Sequence, residues 1–354
     1  MRSPDLAPLR PGRRAAWVAR RAVYGGGAAG LLAALGAGLV AAEAKLARRT
    51  IGEPTEHAPD PAGSYGRPRR GVRPMRLAML GDSSAAGLGV EDSAQTPAAL
   101  LAGMIARDLD RRVELDLQAV TGARSKDLDI QVQRVLRHLV DVAVILIGTN
   151  DVTHRVPPDV ACRHLGRAIA TLRAADVQVI VGTCPDLGTV KPLMQPLRAL
   201  ARVRSRAMAQ AQAVVAVEHG ATAVSLGNLL GPEFADDPGM WSEDRFHPSP
   251  AGYARVVEAL LPTVLQALGV EGDTEVLGDT VQDLDVAAAV AASTPGLEVE
   301  TLEGGEGAAS AGPGRLARLR RRLPVVGGGA PAGPTSAEDL AEVALAEGSP
   351  PDEG

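Results

Sequence analysis

Met75–Gly89 reads MRLAMLGDSSAAGLG. A short run of Leu, Met and Ala stops at a glycine, passes through Asp82-Ser83-Ser84 and enters small helix-forming residues. That is the signature of a buried strand turning sharply into a helix. Outward from it, the same grammar recurs. Apolar runs at 76–80, 113–120, 142–147, 177–181 and 221–226 each end in a polar or glycine turn. Between and after them, 97–109, 125–139, 158–174, 192–218 and 250–268 carry apolar residues at helical spacing. Five strands alternating with helices predict a parallel sheet covered on both faces, a three-layer α/β/α sandwich. In such sheets the working loops gather at the carboxyl ends of the strands.

The chain has 354 residues, of which 45% are hydrophobic and 22% charged, so one full domain leaves material over at both ends. Four segments are expected: a basic and apolar leader over 1–49, a linker over 50–73, the α/β domain over 74–270, and a tail without fixed structure over 271–354. The net charge of −5 supplies no dominant positive field for phosphates, which argues against nucleic acid as a partner. Aromatics at 2% leave little for base-stacking or an aromatic cage. No cofactor motif or metal-ligand spacing is present in the sequence.

The leader reads as a membrane address. Residues 22–42 (AVYGGGAAGLLAALGAGLVAA) carry no charge and are long enough as a helix to cross a bilayer. Arg10, Arg13, Arg14, Arg20 and Arg21 precede them, which places the N-terminus in the cytoplasm and the domain outside. Because so many positions are Gly or Ala, a cleaved signal peptide is the rival, with Ala42-Glu43-Ala44 as its small-x-small site. In the tail, 315–323 (RLARLRRRL) is a short basic amphipathic stretch, and 337–345 is a weak acidic helix candidate.

Four patches of sequence carry chemistry. A serine hydroxyl needs a base and an exposed turn to act as a nucleophile, and Ser83 stands just after the first long strand. His247 lies in DRFHPSPAGYARVV, three residues after Asp244 and just before the closing helix. On an irregular loop that spacing lets one carboxylate orient the imidazole and leaves its other nitrogen for the serine. Asn150, ending VAVILIGTND, offers a side-chain amide, while Gly122 and Ser83 offer backbone N–H groups. Those three are candidate donors to an oxyanion. Singly, each has a plain structural reading as a turn or a helix cap. The serine is not in a GxSxG elbow, which disfavours the α/β-hydrolase arrangement.

In order, GDSSAAG, the Gly122 turn, GTND and DRFH resemble blocks I, II, III and V of the SGNH hydrolases, the GDSL-type esterases and lipases. The resemblance spans 75–268. It implies a flavodoxin-like five-stranded sheet, metal-free catalysis by Ser83, His247 and Asp244, and an oxyanion hole of Ser83, Gly122 and Asn150. It also implies substrates among lipids, aryl esters, thioesters and acetylated sugars. Ser84 stands where the GDSL name expects leucine. The expectation is therefore a serine esterase or lipase working outside the cytoplasm. An O-acyltransferase or acetylesterase acting on envelope glycans, or a non-catalytic binding module, is the alternative. Cys162 and Cys184 fall at the same end of the sheet, and outside the cytoplasm they could pair as a disulfide or remain two free thiols. His154 and Asp186 lie on the same loops and are expected to line the pocket without a chemical role.

Overall fold

Leu77 and Met79 point to one side of a strand while Ala78 and Leu80 point to the other, and all four are fully buried. A strand apolar on both faces must be covered on both, and it is. The computed structural model describes residues 34–36, 38–46, 49, 57–270, 274–276, 282–283, 290, 297–301 and 316–322. Its strands are β1 (Gly63–Tyr65), β2 (Met75–Gly81), β3 (Val113–Leu117), β4 (Val142–Leu146), β5 (Gln178–Gly182) and β6 (Thr222–Val224). Four more follow: β7 (Thr274–Val276), β8 (Gln282–Asp283), β9 (Leu297–Thr301) and β10 (Leu316–Arg322).

The helices that matter for the site are α1 (Ser83–Ala86), α2 (Pro97–Asp108), α3 (Leu128–Val135), α4 (Thr149–Thr153) and α5 (Pro158–Ala174). They continue with α6 (Leu197–Glu218), α7 (Leu226–Asp236) and α8 (Pro250–Ala267). Leu77, Met79 and Leu146 pack with Leu101 and Ile105 of α2, Leu230 and Phe234 of α7, and Val257 of α8. On the opposite face Ala78, Leu80 and Ile145 pack with Val132 of α3, Leu165 and Ile169 of α5, and Ala216 of α6. Period-two alternation in the strands thus divides one sheet between two helical layers.

The parallel strands lie in the order β3-β2-β4-β5-β6. The chain builds outward from β2 to one side, then crosses back to build the other. That reversal opens a crevice beyond the ends of β2 and β4, which is where ligands sit in doubly wound sheets. The five expected parallel strands are all present, but the domain's sheet has a sixth strand. β1 comes from within the expected linker and pairs antiparallel with β3, Tyr65 opposite Val113. It covers an edge that β3 would otherwise leave open, and Ser64 Oγ donates to Glu114 Oε2 across it at 2.8 Å.

Three other departures from expectation have physical causes. The strand expected over 113–120 ends at Leu117, although Gln118 and Val120 still donate to Met79 O and Gly81 O at 2.9 and 3.1 Å. Helix α7 was not expected, because Gly227, Gly231 and Pro232 interrupt its pattern. The tail is not structureless throughout: β9 pairs antiparallel with β6, β10 with β9, and β7 and β8 with β10. The exposed edge of β6 is the template, and the basic stretch supplies strand β10. The candidate helix at 337–345 lies outside the described residues.

Residues 38–46 are helical, and Glu43 Oε2 accepts from the Leu197 amide at 2.9 Å, tying the leader to the first turn of α6. Among the described residues no helix is long and apolar enough to cross a membrane. Residues 22–33 of the apolar leader lie outside the described residues.

Candidate active site

Gly81 ends β2 with φ of +137°, and a Cβ there would meet Leu146 O at 1.8 Å. Only glycine lets the chain turn so closely against β4. Asp82 caps α1, its Oδ1 accepting from the Ser84 amide at 3.0 Å. Ser83 is thereby fixed at the first position of a very short helix and is 6% exposed.

The loop carrying His247 is held from several directions. Trp241 and Pro248 form an antiparallel bridge, and the Ser242 amide donates to His247 O at 2.9 Å. Asp244 Oδ1 accepts from the Phe246 and His247 amides at 2.8 and 2.9 Å and from Ser242 Oγ at 2.7 Å. Its other oxygen, Oδ2, lies 2.5 Å from His247 Nδ1. The far nitrogen, Nε2, lies 3.0 Å from Ser83 Oγ. Tyr253 of α8 donates to Leu88 O at 2.7 Å, locking the closing helix against the segment after the serine.

Two carboxyls in this small volume are driven apart in acidity. Burial raises the Asp244 carboxyl, but the hydrogen bonds from His247, the two amides and Ser242 outweigh it and hold it far below the usual range. For Asp82 burial dominates, and its carboxyl is pushed up from 3.8 to about 6. Its Oδ2 is buried with no partner among the described residues.

The other sequence-derived residues converge on the same crevice. Asn150 stands in the first turn of α4, and its Nδ2 donates to Ala123 O at 3.0 Å, linking the β4 loop to the turn that carries Gly122. Gly122 has φ of +82°, yet a Cβ there would meet nothing within 4 Å. Glycine is therefore favoured at this turn by backbone conformation rather than by crowding. Neither its amide nor that of Ser83 donates to a protein acceptor among the described residues. His154 is exposed, its Nδ1 2.8 Å from Asn150 O. Asp186 is buried, accepting from Arg206 at 3.1 Å and from the Gly188 amide at 2.8 Å.

Reading the sequence missed the braces. Asp151 Oδ2 accepts from the Ser125 amide and hydroxyl at 3.0 and 2.7 Å, a second staple between the two loops. Gln131 of α3 takes the Gly81 amide at 2.8 Å and donates to its carbonyl at 2.9 Å. Gln212 of α6 does the same for the next strands, accepting from Cys184 N at 2.7 Å and donating to Ile147 O at 2.8 Å. The available signal was a glutamine on the buried face of an amphipathic helix, Gln131 beside exposed Gln133 and Gln212 beside exposed Gln210.

The GDSL-like lipase/acylhydrolase family model matches residues 79–255, from the end of β2 into the helix that follows His247. The chain belongs to that family. As a GDSL-like hydrolase it is a carboxylic-ester hydrolase with the SGNH fold. It is 33% identical over 322 residues to the GDSL-like esterase Rv1075c of Mycobacterium tuberculosis, covering 86% of this chain and 97% of the relative. Among solved structures, TesA is 23% identical with a TM-score of 0.44, covering 55% of this chain and 99% of its own. The psychrotrophic esterase EstA from Pseudoalteromonas sp. is 15% identical with a TM-score of 0.45, covering 55% and 98%.

Of the two alternatives for the cysteines of this GDSL-like hydrolase, a disulfide or two free thiols, the structure has the second. Cys162 and Cys184 are both free. Cys162 belongs to the apolar cluster of α3, α5 and α6 beneath the sheet, whereas Cys184 packs with Val152, Leu187 and Val190 in another. Sharing one end of a sheet did not bring them into bonding distance. Burial raises the Cys162 thiol to about 12 and Cys184 well above its ordinary range, so both stay protonated and inert.

Proposed function

We propose that this GDSL-like hydrolase is a serine esterase that works through Ser83, His247 and Asp244 on the outer side of a membrane. The observation that carries the mechanism is the unbroken line from Asp244 Oδ2 to His247 Nδ1 and from His247 Nε2 to Ser83 Oγ. His247 takes the hydroxyl proton as Ser83 Oγ bonds to the ester carbonyl carbon. The tetrahedral oxyanion is met by the amides of Ser83 and Gly122 and by the Asn150 side chain, which the Ala123 contact already orients. The carbon–oxygen bond to the alcohol then breaks, and His247 returns the proton to the leaving oxygen. Water, deprotonated by His247, attacks the acyl-enzyme and releases the acid and free Ser83. Asp244 stays ionised throughout, holding the imidazole and stabilising its charged form.

The substrate class is a carboxylic ester, in keeping with the name of the Mycobacterium tuberculosis relative. The site outside the cytoplasm is supported by the arginine block before the apolar stretch 22–42. Ser83→Ala should lower kcat on p-nitrophenyl esters by about 10⁴-fold or more and abolish labelling by a fluorophosphonate. Wild-type turnover in that variant would reject the mechanism. Fractionation of the full chain, with protease added to intact cells, tests the location: a domain found only in the cytosol rejects it.

A further inference from the structure

A groove of about 530 Å³ lies against the loop that delivers His247. It is lined by Pro238, Trp241, Ser242, Glu243 and Arg245 of that loop and by Lys191 from the segment before α6. The groove does not touch Ser83 or His247, so what it holds is a part of a ligand remote from the bond that is cut. Trp241 is the partition. Its side chain also lines the cavity beside the catalytic pair, as do Val190 and Phe246, the chain neighbours of Lys191 and Arg245. The indole is fixed in place, Nε1 donating to Phe234 O at 2.7 Å and the ring standing edge-on to Phe234 at 5.0 Å.

Arg245 is an unusual residue for its position. Its φ is +55°, in the left-handed region that glycine and asparagine enter at least cost. The other non-glycine residues with positive φ among those described, Asp110, Arg155 and Asp176, each stand two residues past the end of a helix, where that conformation is common. Arg245 instead sits in mid-loop, its amide closing a turn onto Ser242 O at 2.9 Å. That turn aims the next two amides at Asp244 Oδ1. Glycine would serve it better, and the arginine side chain does nothing for it: the residue is exposed, and its guanidinium has no hydrogen bond or ion pair among the described residues. Lys191 is exposed and its ammonium is likewise unpaired. Two free cations against the single acid Glu243 leave the groove locally positive in a chain whose net charge is −5.

Resting on the esterase reading, we propose that this groove binds an anionic oxygen group, a phosphate or a carboxylate, carried on the alcohol part of the ester, with Arg245 and Lys191 as its cations. The alcohol part belongs there because His247 returns the proton to the leaving oxygen, so the alcohol departs beside the His247 loop. Two steps of about 3.8 Å each keep the Cα of Arg245 within about 7.6 Å of the Cα of His247. A chain of a few atoms past Trp241 therefore joins the cut bond to the groove.

The test uses the full-length protein and paired acetate esters at low ionic strength. One series is the ω-acetoxyalkyl phosphates with two to six carbons in the spacer, each against the uncharged ω-acetoxyalkyl methyl ether of the same length. The other is the ω-acetoxyalkanoates, each against its uncharged amide. In the wild type the charged-to-neutral ratio of kcat/KM should exceed one at a preferred spacer length and shrink with added salt, and the series with the larger ratio names the anion. Arg245→Gly and Lys191→Gln should each lower that ratio about twofold to fivefold, mainly through KM, as expected for one solvent-exposed charge contact. Arg245→Lys should recover part of the ratio lost in Arg245→Gly, and Glu243→Gln should raise the ratio. Because glycine suits the backbone at 245, Arg245→Gly should melt close to the wild type; Lys191→Gln carries the test if it does not. Ratios unchanged in both cation variants, or a loss that Arg245→Lys does not recover at all, overturn the assignment. Failure of the wild type to hydrolyse any ester, charged or neutral, would instead bring down the esterase reading, and the anion site with it.

Discussion

Asp82 and Asp244 share one residue type and one small site, and their surroundings give them opposite acidity. Asp244 is depressed, so the stability it lends is present above its ordinary pKa and is lost only as pH falls through its folded value. Asp82 is raised, so the sign reverses. Between its ordinary 3.8 and about 6, the folded chain keeps a proton that the unfolded chain has released. Stability therefore falls as pH rises through that window, by at most about 3 kcal/mol. Asp82→Asn keeps an oxygen for the Ser84 amide but cannot ionise. Urea unfolding from pH 4 to 8 should show the variant gaining on the wild type as pH rises, with the gain complete above about pH 7. A constant offset across that range would mean that Asp82 ionises in the fold at its ordinary pKa, unshifted by burial.

At the level of elements, the geometry of the proposed catalytic site depends on strand ends that glutamines hold in place. The Gly81 amide, two residues before Ser83, is paired only by Gln131 among the described residues. Its carbonyl keeps a second donor, the Val120 amide at 3.1 Å. Gln131→Leu should leave one buried N–H unpaired and cost about 1–3 kcal/mol, read as a lower urea midpoint with an unchanged slope. Because the strain falls on the Ser83 turn, kcat should drop more than KM changes. Such braces were illegible beforehand because a glutamine's partner is set by tertiary packing, not by its neighbours in sequence. The alternation of β2 to β6 with their helices was legible because burial on two faces writes continuous apolar runs. Ser83, Asp244 and His247 were legible because each stands at the end of such a run or before the closing helix. Helix α7 was hidden by Gly227, Gly231 and Pro232, and β1 by being three residues whose identity as a strand comes from the edge of β3.

For the whole molecule, the boundary drawn at Val270 from composition is the point on which fold and sequence differ most. Composition marks where the apolar periodicity stops, but the sheet continues. β9 pairs Ala223 with Val299 and Val224 with Glu298, and β10 then sets Arg320 opposite Glu298 and Arg318 opposite Glu300. The segments that look like solvated tail are, in this arrangement, successive strands, β9 along β6 and β10 along β9. A chain ended at Val270 would leave the β6 edge with open N–H and C=O groups, a template for pairing with a second copy. Such a truncation should elute partly as dimer or larger species and melt lower than the full chain, while retaining Ser83 labelling in its monomer fraction. A truncated chain as monomeric and as stable as the intact one would show that β9 and β10 contribute nothing to the domain.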